Sequence, residues 1–175
     1  MKRGRVWKYG DDVNTDVIFS GKYTYSILDP EEMARHALED LDPSFAPNVK
    51  PGDVIVAGSN FGCGSSREQA ATCLKHAGVQ AVIAKSFARI FYRNAINQGL
   101  PVVQSKEAVE SLKHGQEVIV DFTRGRIETK TEVFTFPPLP EEILRIFEAG
   151  GLIPYTKKKL EENRSRECPR SQNKR

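Results

Sequence analysis

Val54-Ile55-Val56-Ala57, then Gly58-Ser59-Asn60-Phe61-Gly62-Cys63-Gly64, then Ser65-Ser66-Arg67-Glu68-Gln69-Ala70 form an apolar run, a glycine-rich turn and a helical opening. Four consecutive apolar residues after Pro51-Gly52 read as a short strand buried on both faces. The segment after the turn predicts a helix over 66–77, stopped by Gly78. The same rhythm then repeats. A strand is expected over 80–84, a helix over 87–98 ending at Gly99, a strand over 101–103, and a helix over 106–113 before Gly115. Strands alternating with helices predict βαβ units and a parallel sheet.

Working outward, the N-terminal side predicts strands over 5–9 and 17–19. A helix opens at Pro30 with Glu31 and Glu32 beside it and runs to about residue 40, because proline and acids suit a helix N-terminus. Pro43 and Pro47 make 41–50 a loop. On the C-terminal side the tempo changes. Residues 117–122, 126–130 and 132–136 predict consecutive strands turning at Gly125, and Pro140 starts a helix to residue 149. The fold class is α/β in a single domain over residues 1–156, with a mixed, partly parallel sheet.

A chain of 175 residues can bury one proper core and hardly two. No run approaches the roughly 18 apolar residues that span a bilayer, and the start of the chain lacks the apolar stretch of a signal peptide. A cytoplasmic protein without membrane contact is the expectation. The net charge of +3 is unevenly spread: from Lys157 onward the chain carries eight basic residues and three acids, so the preceding 156 residues carry −2. The basic stretch is expected to be a flexible tail, and no nucleic-acid partner is expected. Cys63, Cys73 and Cys168 form neither a disulfide framework nor a C-x-x-C motif, so no metal or cluster site is expected in this chain.

The glycine-rich turn is where chemistry is expected. Placed between a strand and a helix, it points backbone N–H groups and the positive end of a helix dipole at an anion. It is not a P-loop, because Ser65-Ser66-Arg67 stands where Gly-Lys-Ser/Thr is needed. Nor is it a dinucleotide fingerprint, because Arg67 replaces the third glycine. Ser65 and Glu68 have capping-box spacing, which is a purely structural reading of the serine. Arg67 weighs against that reading alone: a cation in a first helical turn opposes the dipole, whereas an arginine beside glycines and hydroxyls makes a two-pronged carboxylate receptor.

Gly62-Cys63-Gly64-Ser65-Ser66-Arg67-Glu68, the later Lys85-Ser86-Phe87-Ala88-Arg89-Ile90-Phe91-Tyr92-Arg93-Asn94, and the early Asp11-Asp12-Val13-Asn14-Thr15-Asp16 resemble the small subunits of 3-isopropylmalate dehydratase and homoaconitase. Those subunits are similar to the C-terminal domain of aconitase, and the resemblance extends over about residues 4–155. It implies a swivelling β/β/α fold and a hydro-lyase that isomerises 2-isopropylmalate and 3-isopropylmalate in leucine biosynthesis. The implied partner is a large subunit, in a heterodimer or heterotetramer, that holds a [4Fe–4S] cluster.

By the same resemblance Ser65 is the base that takes a carbon-bound proton, Ser66 and Arg67 hold a substrate carboxylate, and Asp16 lies at the substrate face. Tyr25 and Ser26 fall in the loop that selects the substrate's third substituent. Tyr25 stands where homoaconitase-type members carry an arginine, which suits an apolar substituent over a further carboxylate. Lys22 is the cation that would replace that arginine. The alternatives are a homoaconitase or another substituted-malate dehydratase small subunit, and a non-catalytic anion-binding module. Cys63 is expected to pack in the turn, Cys73 to lie in the core, and Arg89 and Arg93 to be structural ion pairs.

Overall fold

The computed structural model describes residues 3–167. A seven-stranded sheet has the order β4-β3-β2-β1-β5-β6-β7. Its parallel half is β1 (Arg3–Lys8), β2 (Val54–Ala57), β3 (Ala81–Ala84) and β4 (Val102–Gln104). Its antiparallel half continues from β1 through β5 (Glu117–Asp121), β6 (Arg126–Glu128) and β7 (Val133–Thr135).

Strand periodicity explains why β2 and β3 are apolar at every position. Ile55, Ala57, Val82 and Ala84 point into one core, and Val54, Val56, Ala81 and Ile83 point into a second core on the opposite face. The first core is covered by α1 (Thr15–Ile18), α2 (Pro30–Arg35), α3 (Phe45–Asn48), α4 (Glu68–His76) and α5 (Arg89–Gln98), and encloses Phe19, Phe45, Phe61 and Phe91. The second lies under α6 (Lys106–Ser111) and the antiparallel strands. Two more helices, α7 (Glu141–Glu148) and α8 (Leu152–Glu167), close the chain.

Several expectations need correcting. Residues 17–19, expected as a strand, lie in and just after α1, because the Asn14 side chain accepts the Asp16 amide and caps a helical turn there. The loop expected over 41–50 contains α3. The helix expected from Pro30 to residue 40 ends at Arg35, and turns follow. The boundary expected between residues 156 and 157 falls inside α8, which continues to Glu167 and sets Lys159 beside Glu142. Cys168 and the rest of the expected tail lie outside the described residues.

Candidate functional site

The carboxyl ends of β1, β2 and β3 run into three segments that extend the ladder beyond the sheet. The turn after β2 lies in the middle. On one side the Gly58 amide donates to the Gly10 carbonyl (2.9 Å), the Gly62 amide to Val13 (2.8 Å), and the Thr15 amide to Cys63 (2.8 Å). On the other, the Phe61 amide donates to Ser86 (3.0 Å) and the Ala88 amide to Phe61 (2.9 Å). The turn is thus held from both flanks at the end of a parallel sheet, the edge where open α/β sheets place ligands.

Two glycines make this clamping possible. Gly62, at φ +79°, is packed so closely that a Cβ would lie 2.2 Å from the Phe91 ring. At Gly64, φ +92°, a Cβ would lie 2.4 Å from Asn14 Oδ1. Thr15, buried, donates from its hydroxyl to the Ser65 carbonyl at 2.8 Å. The backbone of Ser65 is therefore fixed while its side chain faces outward. Ser65 and Ser66 are exposed, and neither hydroxyl has a partner among the described residues.

The capping box expected from Ser65 and Glu68 does not form. Helix α4 begins at Glu68, Arg67 is its N-cap with extended backbone (φ −132°, ψ 110°), and no side chain caps it. The Glu68 carboxylate is instead engaged by the Gln98 amide of α5, so it cannot fold back. This removes the structural role of Ser65 and leaves first-turn N–H groups of a nine-residue helix facing the serine turn. It also corrects the account of Arg67, which precedes the first helical turn instead of lying in it.

The Arg67 guanidinium is gathered by segment 16–24. Its Nη2 pairs with Asp16 Oδ1, and Nη1 donates to the Phe19 carbonyl (3.4 Å) and to Thr24 Oγ1 (3.3 Å). A Cβ on Gly21 would sit 3.1 Å from both terminal nitrogens. The structure thus brings Ser65, Ser66, Arg67 and Asp16 into one site and places Asp16 on Arg67. Asn14, Thr15 and Thr24 are additional supports. Their only sequence signal is the polar 11–16 stretch and a threonine beside Tyr25.

Tyr25 and Ser26 stand on the same loop, one and two residues beyond Thr24. Tyr25 is 95% exposed, and Ser26 bonds only back to the Tyr23 carbonyl (3.4 Å) among the described residues. The loop's base is clasped by Glu39, which accepts from Lys22 Nζ (2.7 Å) and Tyr23 Oη (3.0 Å) and meets His36 Nδ1 (2.5 Å). Lys22, the expected substitute cation, is thus already committed to Glu39, with Asp40 at 3.6 Å. Arg89 and Arg93 also differ from expectation: both are exposed, with no ion-pair partner among the described residues.

The thiols do not suit an iron–sulfur cluster. Cys63 lies in the turn, Cys73 is fully buried on α4 where burial pushes its thiol well above the usual range, and no group of three or more candidate metal ligands exists among the described residues.

Comparison with known proteins decides the family. A 3-isopropylmalate dehydratase small subunit from Archaeoglobus fulgidus is 53% identical over 156 residues, covering 88% of this chain and 96% of that one. The chain belongs to the 3-isopropylmalate dehydratase small-subunit family. The isopropylmalate/citramalate isomerase small subunit of Methanocaldococcus jannaschii is 51% identical over 163 residues, covering 92% of this chain and 96% of that one. A crystal structure of 3-isopropylmalate dehydratase from Methanocaldococcus jannaschii superposes with a TM-score of 0.87 at 44% identity, covering 94% of this chain and 98% of that one. The aconitase C-terminal domain family matches residues 32–107, which include the serine turn and α5. The α/β fold with its mixed, partly parallel sheet is the fold of this family. Its cluster belongs to the large subunit, in keeping with the thiol arrangement here. No helix among the described residues is long and apolar enough to cross a membrane.

Proposed function

We propose that Ser65, Ser66 and Arg67 carry this chain's share of the chemistry in a two-chain hydro-lyase that interconverts 2-isopropylmalate and 3-isopropylmalate. The small-subunit, hydro-lyase character follows from the family. The residue roles rest on one observation: Ser65 has its backbone clamped, its side chain exposed and no capping task, beside an arginine and an uncapped helix start.

Dehydration breaks a C–H and a C–O bond on adjacent carbons and leaves a double bond and water; rehydration in the other orientation completes the isomerisation. Ser65 Oγ takes the carbon-bound proton and returns it in the reverse step. A serine alkoxide is a strong base that forms with difficulty in water, so it needs preorganised positive surroundings. The first-turn amides of α4 and the nearby guanidinium supply them. Ser66 donates to a substrate carboxylate that Arg67 grips in bidentate fashion, displacing Asp16 from at least one nitrogen. Asp16 and Thr24 set the orientation from which Arg67 reaches that carboxylate. The hydroxyl departs on the side of the site built by the large subunit. Tyr25 and Ser26 face the substrate's third substituent, where an aromatic ring favours an alkyl group over a carboxylate.

A second substrate, citramalate, has one specific support: the Methanocaldococcus relative is named for both acids. The biosynthetic role implies a cytoplasmic enzyme, assembled as a heterodimer or heterotetramer.

Anaerobic reconstitution with a cluster-bearing large subunit tests the reading, with absorbance of the unsaturated intermediate followed from 3-isopropylmalate, citramalate and homocitrate. Ser65→Ala is expected to lower kcat by about 10²–10⁴ while leaving assembly and Tm unchanged. Full activity in Ser65→Ala would remove the serine base. Preference for homocitrate would overturn the role given to Tyr25.

A further inference from the structure

A site finished by a second chain must be bordered by surface that the second chain covers. The turn bearing Ser65 is flanked by segment 10–15 on the β1 side and by the start of α5 on the β3 side. On the α5 side, Arg89, Ile90 and Arg93 line an open cleft of about 410 Å3 together with Gly62 and Gly64. Both arginines are exposed and lack an ion-pair partner among the described residues, and Ile90 is 50% exposed between them.

Within the chain this arrangement is unfavourable. Arg89 and Arg93 are like charges at i,i+4 near a helix start, with no acid in the first turn to balance the dipole. The exposed isoleucine gains nothing in water. On the opposite flank the loop that carries Tyr25 also exposes Leu28, at 78%. Apolar anchors and arginines around a concave centre are the composition of a covered protein interface.

We infer that the face made by Arg89, Ile90 and Arg93 is a docking surface for the large subunit, which presents acidic side chains to the two arginines and an apolar seat to Ile90. This rests on the two-chain reading of the site. The occupant follows from continuity and charge: a chain that closes over Ser65 also passes over the neighbouring cleft, and two uncompensated cations call for an acidic surface. A small hydroxy acid does not account for an exposed isoleucine standing between two arginines.

The test measures affinity of the full chain for a cluster-loaded large subunit, by titration with light scattering, for native protein, Arg89→Glu/Arg93→Glu and the milder Arg93→Gln. The double variant is expected to bind at least 10-fold more weakly, with a shallower salt dependence, unchanged Tm, and unchanged kcat once the large subunit saturates it. Arg93→Gln lies between. Equal affinity for all three chains would overturn the inference. So would a lower kcat at unchanged affinity, which would assign the arginines to substrate. If the native chain binds no large subunit, the two-chain reading itself falls, and this inference with it.

Discussion

Gly62 and Gly115 have nearly the same backbone, φ +79° and +78°, yet very different surroundings. A Cβ at Gly62 meets the Phe91 ring at 2.2 Å, whereas at Gly115 nothing lies within 4 Å. Gly115→Ala is therefore expected to cost only backbone strain, about 1 kcal/mol. Gly62→Ala adds overpacking, for a total of about 3 kcal/mol or more, and displaces the serine turn. Urea unfolding of the two variants separates strain from collision; equal losses would mean that Phe91 yields freely. At this scale the sequence exposes residue types but not their partners. Arg67 is recognisable as an arginine beside glycines and hydroxyls, but its pairing with Asp16 and Thr24 spans about 50 residues of chain and depends on how the loop folds back. Glu68 shows the converse. Its spacing from Ser65 is right for a capping box, and a distant glutamine takes it away.

The loop that carries Tyr25 is an element whose stability has an electrostatic component. Lys22 first, then His36, hold the Glu39 carboxyl down at about 2 from its usual 4.5, against the opposing effect of burial. A folded-state pKa below the unfolded one adds stability above about pH 4.5. That contribution shrinks as pH falls and is gone near pH 2, the bottom of the window for Glu39. The amide signals of residues 20–27 are expected to shift with a midpoint well below 4.5, and Glu39→Gln should abolish that transition. A midpoint at 4.5 would mean that the clasp does not hold the loop in solution. Elements with strong internal signals were legible: α4, α5 and the parallel strands lie within a few residues of expectation. Short pieces were not. Helix α1 has four residues and no periodicity to read, so its Asn14 cap and the threonine beneath Ser65 decide its shape.

For the whole molecule, Asp53 ties β1 to the segment that leads into β2. Its buried carboxylate accepts from the Arg5 amide (2.8 Å), Trp7 Nε1 (3.0 Å), the Lys50 amide (3.0 Å) and the Arg5 guanidinium (3.2 Å). Burial pushes its pKa up, but hydrogen bonds from Arg5, Trp7 and Lys50 outweigh that and leave it below the usual range. Asp53→Ala strands a buried indole N–H and an amide, so a loss of about 3 kcal/mol is expected in urea unfolding, with Asp53→Asn milder. A loss under about 0.5 kcal/mol would show that water replaces the carboxylate. The sequence by itself determined the α/β class, the two-faced burial of the middle strands and the position of the serine turn, because each is written in contiguous residues as an apolar run, a glycine or a period. Only the tertiary structure decided which side chains meet at the turn. Those contacts join α1, the Tyr25 loop and α5 across the ends of three strands, and residues so far apart leave no local pattern to read. It also decided that Arg89 and Arg93 have no ion-pair partner among the described residues, since an ion pair exists only where the fold brings opposite charges together.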